Sequence, residues 1–156
     1  MKKYIALILA MLMALCLLSA CGGHSDSDPG FEAVSNAVKN AADSDIMTDI
    51  PESYMESMMK LTADNYSECL VRISSVGTNI DEYGVFKTED PSAMEDALND
   101  YLAYRMDIWM DEYLPEELPK LQNAQVWAVG NYVMYVIADS DTIDAAEIAF
   151  KGCFEG

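Results

Sequence analysis

Residues 132–138 (YVMYVIA) form an unbroken apolar run, preceded by Gly130-Asn131 and followed by Asp139-Ser140-Asp141. A strand that is apolar at both sets of alternating positions has both faces out of water, so this one is expected to be central in a sheet. Residues 124–129 read as its partner, because Gly130-Asn131 is a two-residue turn of the hairpin type. A chain built around such a strand must supply further strands and a helical layer to cover it.

The other elements follow from periodicity. Residues 69–76 (CLVRISSV) and 80–87 (IDEYGVFK) read as two strands joined through Gly77-Thr78-Asn79. Phe31, Val34, Val38 and Ala41 recur at helical spacing, which predicts a helix over residues 31–42 that ends at Asp43-Ser44-Asp45. Pro51 can open a second helix at its N1 position, with Tyr54, Met55, Met58, Met59 and Leu61 as its apolar content.

The longest helical pattern covers residues 92–114, where Met94, Ala97, Leu98, Tyr101, Leu102, Met106, Trp109 and Tyr113 keep one face apolar. Ser92 and Glu95 make a capping-box pair, and Asp90-Pro91 offers an alternative start. A last helix is expected over residues 141–150. The order is α-α-ββ-α-ββ-α, which predicts an α+β two-layer sandwich: a four-stranded antiparallel sheet of two hairpins with helices on one face.

The first residues are different in kind. Lys2 and Lys3 precede 15 apolar residues, 4–18, which is short of the roughly 20 needed to cross a bilayer but suits the core of a signal peptide. Leu18-Ser19-Ala20-Cys21 then looks like the lipobox of bacterial lipoproteins, in which the Cys thiol takes a diacylglyceryl group and a peptidase cuts before it. Two acyl chains anchor stably where one does not. The expected division is a signal peptide over 1–20, the lipidated Cys21 with a flexible tether over 21–30, and one α+β domain over 31–156. The expected location is the outer, extracytoplasmic face of the cell membrane, reached through the lipid.

Charge narrows the partners. The chain has 9 Lys and Arg against 27 Asp and Glu, a net charge of −18. Cleavage before Cys21 removes Lys2 and Lys3 but no acid, so seven cations would face 27 acids at −20. Nucleic acid is excluded as an ordinary partner, because phosphate binding needs clustered Lys and Arg.

Three stretches together resemble a family of small bacterial lipoproteins carrying a domain of unknown function numbered 4358. They are Ile80-Asp81-Glu82-Tyr83-Gly84-Val85-Phe86-Lys87, the segment from Tyr104-Arg105 through Glu112-Tyr113-Leu114-Pro115-Glu116, and Gly130-Asn131-Tyr132-Val133-Met134-Tyr135-Val136-Ile137. Their order and spacing carry the likeness over roughly residues 45–155. The resemblance implies an extracytoplasmic lipoprotein and brings no catalytic or binding residues with it.

Catalytic chemistry has little to work with. His24 is the one histidine and falls in the expected tether, so a Ser-His-Asp or Cys-His site in the folded body lacks its base. Phosphate-loop and dinucleotide-binding glycine motifs are absent, and Cys69 and Cys153 stand in no metal-ligating pair. No catalytic, cofactor or metal residue is expected. Paired carboxylates could hydrolyse glycan, but 27 acids make chance pairs certain and single out none. An EF-hand counted from Asp139 puts Asp144 and Phe150 where Gly and Glu belong, so the acid clusters read as helix caps and solvated faces.

Three features stay open. Cys69 and Cys153 form either a disulfide, which export permits, or two free thiols. Met55, Met58, Met59, Met94, Met106 and Met110, with Tyr101, Tyr104, Trp109 and Tyr113, are either core or the lining of an adaptable apolar groove. Tyr104, Ile108 and Met110 fall partly off the stripe of the long helix, so a second layer covers them or they form a partner patch. Arg105, amid the apolar run, is expected to pair with a nearby acid. The function expected is a non-enzymatic, lipid-anchored module that binds a protein or small ligand. The alternatives are a carboxylate-based glycan hydrolase and a divalent-cation-binding envelope protein.

Overall fold

The computed structural model describes residues 28–110 and 113–155. Its elements run α1 (Phe31–Ala42), β1 (Met47–Asp49), α2 (Glu52–Tyr54) passing directly into a π-helical turn (Met55–Met59), β2 (Glu68–Ser74) and β3 (Glu82–Lys87). Then come α3 (Pro91–Asp107), α4 (Leu118–Gln122), β4 (Gln125–Val129), β5 (Tyr132–Ile137) and α5 (Ser140–Gly152). The expected signal peptide, Cys16, Cys21 and His24 lie outside the described residues.

All five strands pair antiparallel in the order β1-β2-β3-β5-β4. The α+β class and the antiparallel sheet built on two hairpins are as expected, but the sheet has five strands rather than four. The extra strand, β1, is three residues long, too short for alternation to signal it. Along β5, Val133, Tyr135 and Ile137 join one hydrophobic cluster, while Tyr132, Met134 and Val136 join another.

Helices therefore cover both faces, and the expected one-sided sandwich is corrected to three layers. On one side α1 and α5 pack together, with Val34, Val38, Ile143, Ala146 and Phe150 buried against the sheet. On the other, α3 contributes Met94, Leu98, Tyr101 and Leu102 beside Met55, Met59 and Leu121. A strand buried on both faces requires this.

The long helix ends earlier than its pattern suggests. Asp90 caps it by accepting a hydrogen bond from the Ala93 amide at 3.0 Å, so the alternative start is the one used. Its 17 residues give a rise of about 25 Å, against about 20 Å for a six-residue strand. A further two turns would project past the sheet. The chain instead leaves the helix at Ile108, which lets Trp109 fold back onto the core.

Pro51 stands at the cap of α2 rather than at N1, and only three α-helical residues follow before the π turn. The β2–β3 connection is also longer than the three residues expected. The Asn79 side chain donates to the Asp81 carboxylate and accepts from the Asp81 backbone N–H, a local turn that favours a loop over continued strand.

Two polar clasps fix the layers. Asp43, at the end of α1, accepts from Arg72 Nε at 3.1 Å and from the Tyr83 hydroxyl at 3.0 Å, while Arg72 also reaches Asp49 and the Met47 carbonyl. Asp28, in the expected tether, is docked onto the sheet. It accepts from the Gly30 amide at 2.9 Å, Lys87 Nζ at 2.6 Å and the Tyr132 hydroxyl at 2.5 Å.

Candidate functional site

Glu82 opens β3 on the face covered by α3, two and four residues before Gly84 and Phe86 on the same side. Its side chain is 0 % exposed. The burial is compensated at both oxygens: Oε1 accepts from Tyr101 at 2.7 Å and Tyr135 at 2.5 Å, and Oε2 accepts from Arg105 Nη1 at 2.7 Å. The same Arg105 nitrogen donates to the Tyr101 hydroxyl at 2.7 Å, and the Tyr54 hydroxyl lies 3.1 Å from that of Tyr101. One carboxylate therefore ties together β3, β5, α3 and α2.

Local sequence explains the geometry. Tyr101 and Arg105 stand four apart on the sheet-facing side of α3, so both reach the same point. Gly84 lies opposite Tyr135 in the β3–β5 register, and the Tyr135 ring runs across it. A Cβ at position 84 would meet Tyr135 Cε1 at 2.4 Å. The glycine makes room for the ring whose hydroxyl reaches Glu82.

Electrostatics follow from burial and this charge. Burial, then the charge of Glu82, pushes the phenols of Tyr54, Tyr101 and Tyr135 above their ordinary value. Burial opposes the charge on Arg105, yet the adjacent Glu82 carboxylate holds the guanidinium above its ordinary value. The expected acid partner of Arg105 is thus Glu82. Hydrolysis by paired carboxylates needs acids that converge on a cleft open to substrate. Glu82 opens to none, and its oxygens are taken up by three donors, so the cluster acts as a lock.

The face above the lock is open. Between the π turn and α3 lies a pocket of about 310 Å³ lined by Met58, Met59, Lys60, Ala97, Asp100, Tyr101 and Tyr104. Its floor includes Tyr101, held in place by Glu82 and Arg105. Its far wall depends on the π turn, a geometry that often marks functional sites, which closes on Lys60 in the left-handed region at φ 59°. The methionines divide: Met55, Met59 and Met94 are buried in the core, Met58 and Met59 also line the pocket, and Met106 and Met110 are exposed.

Tyr104, Ile108 and Met110 are 45 %, 48 % and 65 % exposed, so no second layer among the described residues covers them, and Tyr104 joins the pocket wall. Cys69 and Cys153 are free thiols packed against the clusters on opposite faces of the sheet, so the fold does not bring them together. Burial raises both thiols. Among the described residues no group of three or more His, Cys, Asp or Glu is placed to hold a metal ion.

Sequence reasoning missed Glu82 and the tyrosines that hold it. The signal was present: strand parity that turns Phe86 inward also turns Glu82 inward, opposite an Arg on the apolar side of a helix.

These features define an α+β domain whose antiparallel sheet is locked to one helical layer by a sealed ion pair, with an apolar pocket above the lock. The chain belongs to the family described as Domain of unknown function (DUF4358), whose model matches residues 39–138. That span holds all five strands and the whole lock, while α5 lies outside it. No curated protein and no solved structure matches the chain.

Proposed function

We propose that the protein is a lipid-anchored binding module on the extracytoplasmic face of the cell membrane, and that it takes its partner through the pocket between the π turn and α3. The observation that carries this reading is the pairing of an open apolar pocket with a floor held rigid by buried hydrogen bonds. A preorganised wall lowers the ordering cost of binding. The chemistry-bearing cluster beneath it is sealed, which favours recognition over catalysis.

Localisation rests on residues 2–21: a basic start, a short apolar core, and Leu-Ser-Ala-Cys with the lipidated thiol at Cys21. Among the described residues no helix is long and apolar enough to cross a membrane. A diacylated Cys21 supplies the two acyl chains that stable anchoring needs.

Two measurements test the two halves. Radiolabelled palmitate should enter the wild-type chain and not Cys21→Ser, and globomycin should leave a slower-migrating precursor; label retained by Cys21→Ser rejects the anchor. For binding, Tyr104 replaced by p-benzoylphenylalanine in the native membrane should give a discrete light-dependent adduct, lost when Met58→Trp fills the pocket. The same probe at Ile148, exposed on α5, should not give it. Absence of any adduct specific to position 104 rejects the pocket as the binding face.

A further inference from the structure

We propose that the occupant of this pocket is a basic peptide segment of another protein, which seats one large apolar side chain among Met58, Met59, Tyr101 and Tyr104. The inference rests on the binding role proposed above and names the partner's chemistry. At about 100° per residue, Asp96, Asp100 and Asp107 fall within a sector of about 40° on the outer face of α3. All three are exposed, and none has an ion-pair partner among the described residues.

This acidic stripe runs along one margin of the pocket, and Asp100 belongs to its lining. Nearby cations do not neutralise it. Arg105 is committed to Glu82. Lys60, the one cation in the described lining, donates to the Ser57 carbonyl and keeps its charge but pairs with none of the three acids. Three carboxylates against one ammonium leave the margin net negative. An apolar pocket edged by free carboxylates matches a segment with an apolar anchor flanked by Lys or Arg. Methionine walls adapt to anchors of differing shape.

Position and charge bear on the other occupants. Arg105 of α3 meets the first residue of β3, while the helix starts beside the last, so α3 runs back along β3. Asp28 is held at the Lys87 end, which puts Tyr104 and Ile108 at the far end of the described body from Asp28. Anionic lipid would be repelled by the stripe. A second copy would oppose acid with acid.

The test uses the full chain in zwitterionic lipid nanodiscs, with methionine methyls labelled with carbon-13 and assigned through Met58→Leu and Met59→Leu. The probe is a 14-residue amphipathic peptide with Leu at i, i+3, i+4 and i+7 and Lys elsewhere; a second peptide carries Gln for every Lys. The Lys peptide should shift the Met58 and Met59 methyls and bind about tenfold more weakly to Asp96→Asn/Asp100→Asn/Asp107→Asn, the effect of three exposed charge pairs. The control Asp141→Asn/Asp144→Asn/Glu155→Gln, on and after α5, should bind it as wild type does, and added salt should weaken binding to wild type.

Equal weakening by both triple variants would reduce the effect to general attraction to an acidic body and overturn the proposal. If the Gln peptide shifts the same methyls as tightly, the pocket remains a binding site and the basic partner is rejected. If neither peptide moves them, the pocket reading falls as well. Methyl shifts produced by anionic nanodiscs alone, or by raising protein concentration alone, would replace the peptide with lipid or with a second copy.

Discussion

At the scale of single residues, the costliest position is Glu82. Removing one partner of a buried ion pair leaves the other charged and uncompensated, which typically costs about 3–5 kcal/mol. Glu82→Gln should therefore destabilise the fold by about 3 kcal/mol in urea unfolding, and adding Arg105→Met should recover part of the loss. A change below about 1 kcal/mol would mean the pair is far less coupled than its 2.7 Å contact implies. Gly84 depends on the same network. Tyr135 cannot swing aside from a new methyl because its hydroxyl is held by Glu82. Gly84→Ala should cost about 1–3 kcal/mol through overpacking. Because Tyr135→Phe frees the ring, the cost of Gly84→Ala should be smaller in that background, and a double-mutant cycle measures the difference. Additive effects would place the strain elsewhere.

At the scale of elements, legibility tracked how far each element's cause was local. The spacing of Phe31, Val34 and Val38 gives α1 at its observed bounds, and the Asp139-Ser140-Asp141 run, where Asp139 proves to cap Thr142, gives the start of α5 to within a residue. The both-face apolar pattern of β5 already called for cover on two sides, and the α-α-ββ-α-ββ-α order alone suggested one. The stop of α3 was not legible, since sheet length rather than helix chemistry limits it. Nor was the π turn, whose Met55, Met58 and Met59 suit an ordinary helix equally well.

Asp28 was read as tether because its partners, Lys87 and Tyr132, are 59 and 104 residues away. This latch predicts a pH response. Its bond to Lys87, then that to Tyr132, holds the Asp28 carboxyl well below the usual carboxylate range. A depressed folded pKa gives a stabilisation present above the ordinary Asp value near pH 4 and lost as pH falls through the folded value. The Gly30 amide, which donates to Asp28, should report the loss by NMR with a midpoint well below pH 4. Asp28→Asn should remove the transition. A midpoint near pH 4 would show that the latch does not hold in solution.

At the scale of the whole molecule, charge is the dominant unbalanced quantity. From residue 21 on, seven Lys and Arg face 27 Asp and Glu. Five of the seven, Arg72, Lys87, Arg105, Lys120 and Lys151, are already in ion pairs, so among the described residues most acids have no ion-pair partner. Such a surface repels itself, and the compact state bears the cost. Screening should then stabilise the fold: at 0.15 M salt the Debye length is about 8 Å, so repulsion between exposed charges farther apart than that is largely removed. The melting temperature should rise with NaCl, the reverse of a protein held by exposed salt bridges.

Divalent ions separate this general effect from the rival reading of a cation-binding protein. Magnesium and calcium screen alike, but a built calcium site stabilises by linkage at low concentration. A site with a Kd of about 10 μM would add about 2.7 kcal/mol at 1 mM calcium, a rise of about 10 °C for a domain of this size. Melting curves in CaCl2 and MgCl2 at equal molarity should coincide if repulsion is all that the ions relieve. A saturable excess for calcium of that order would make cation binding the better account of the acidic surface.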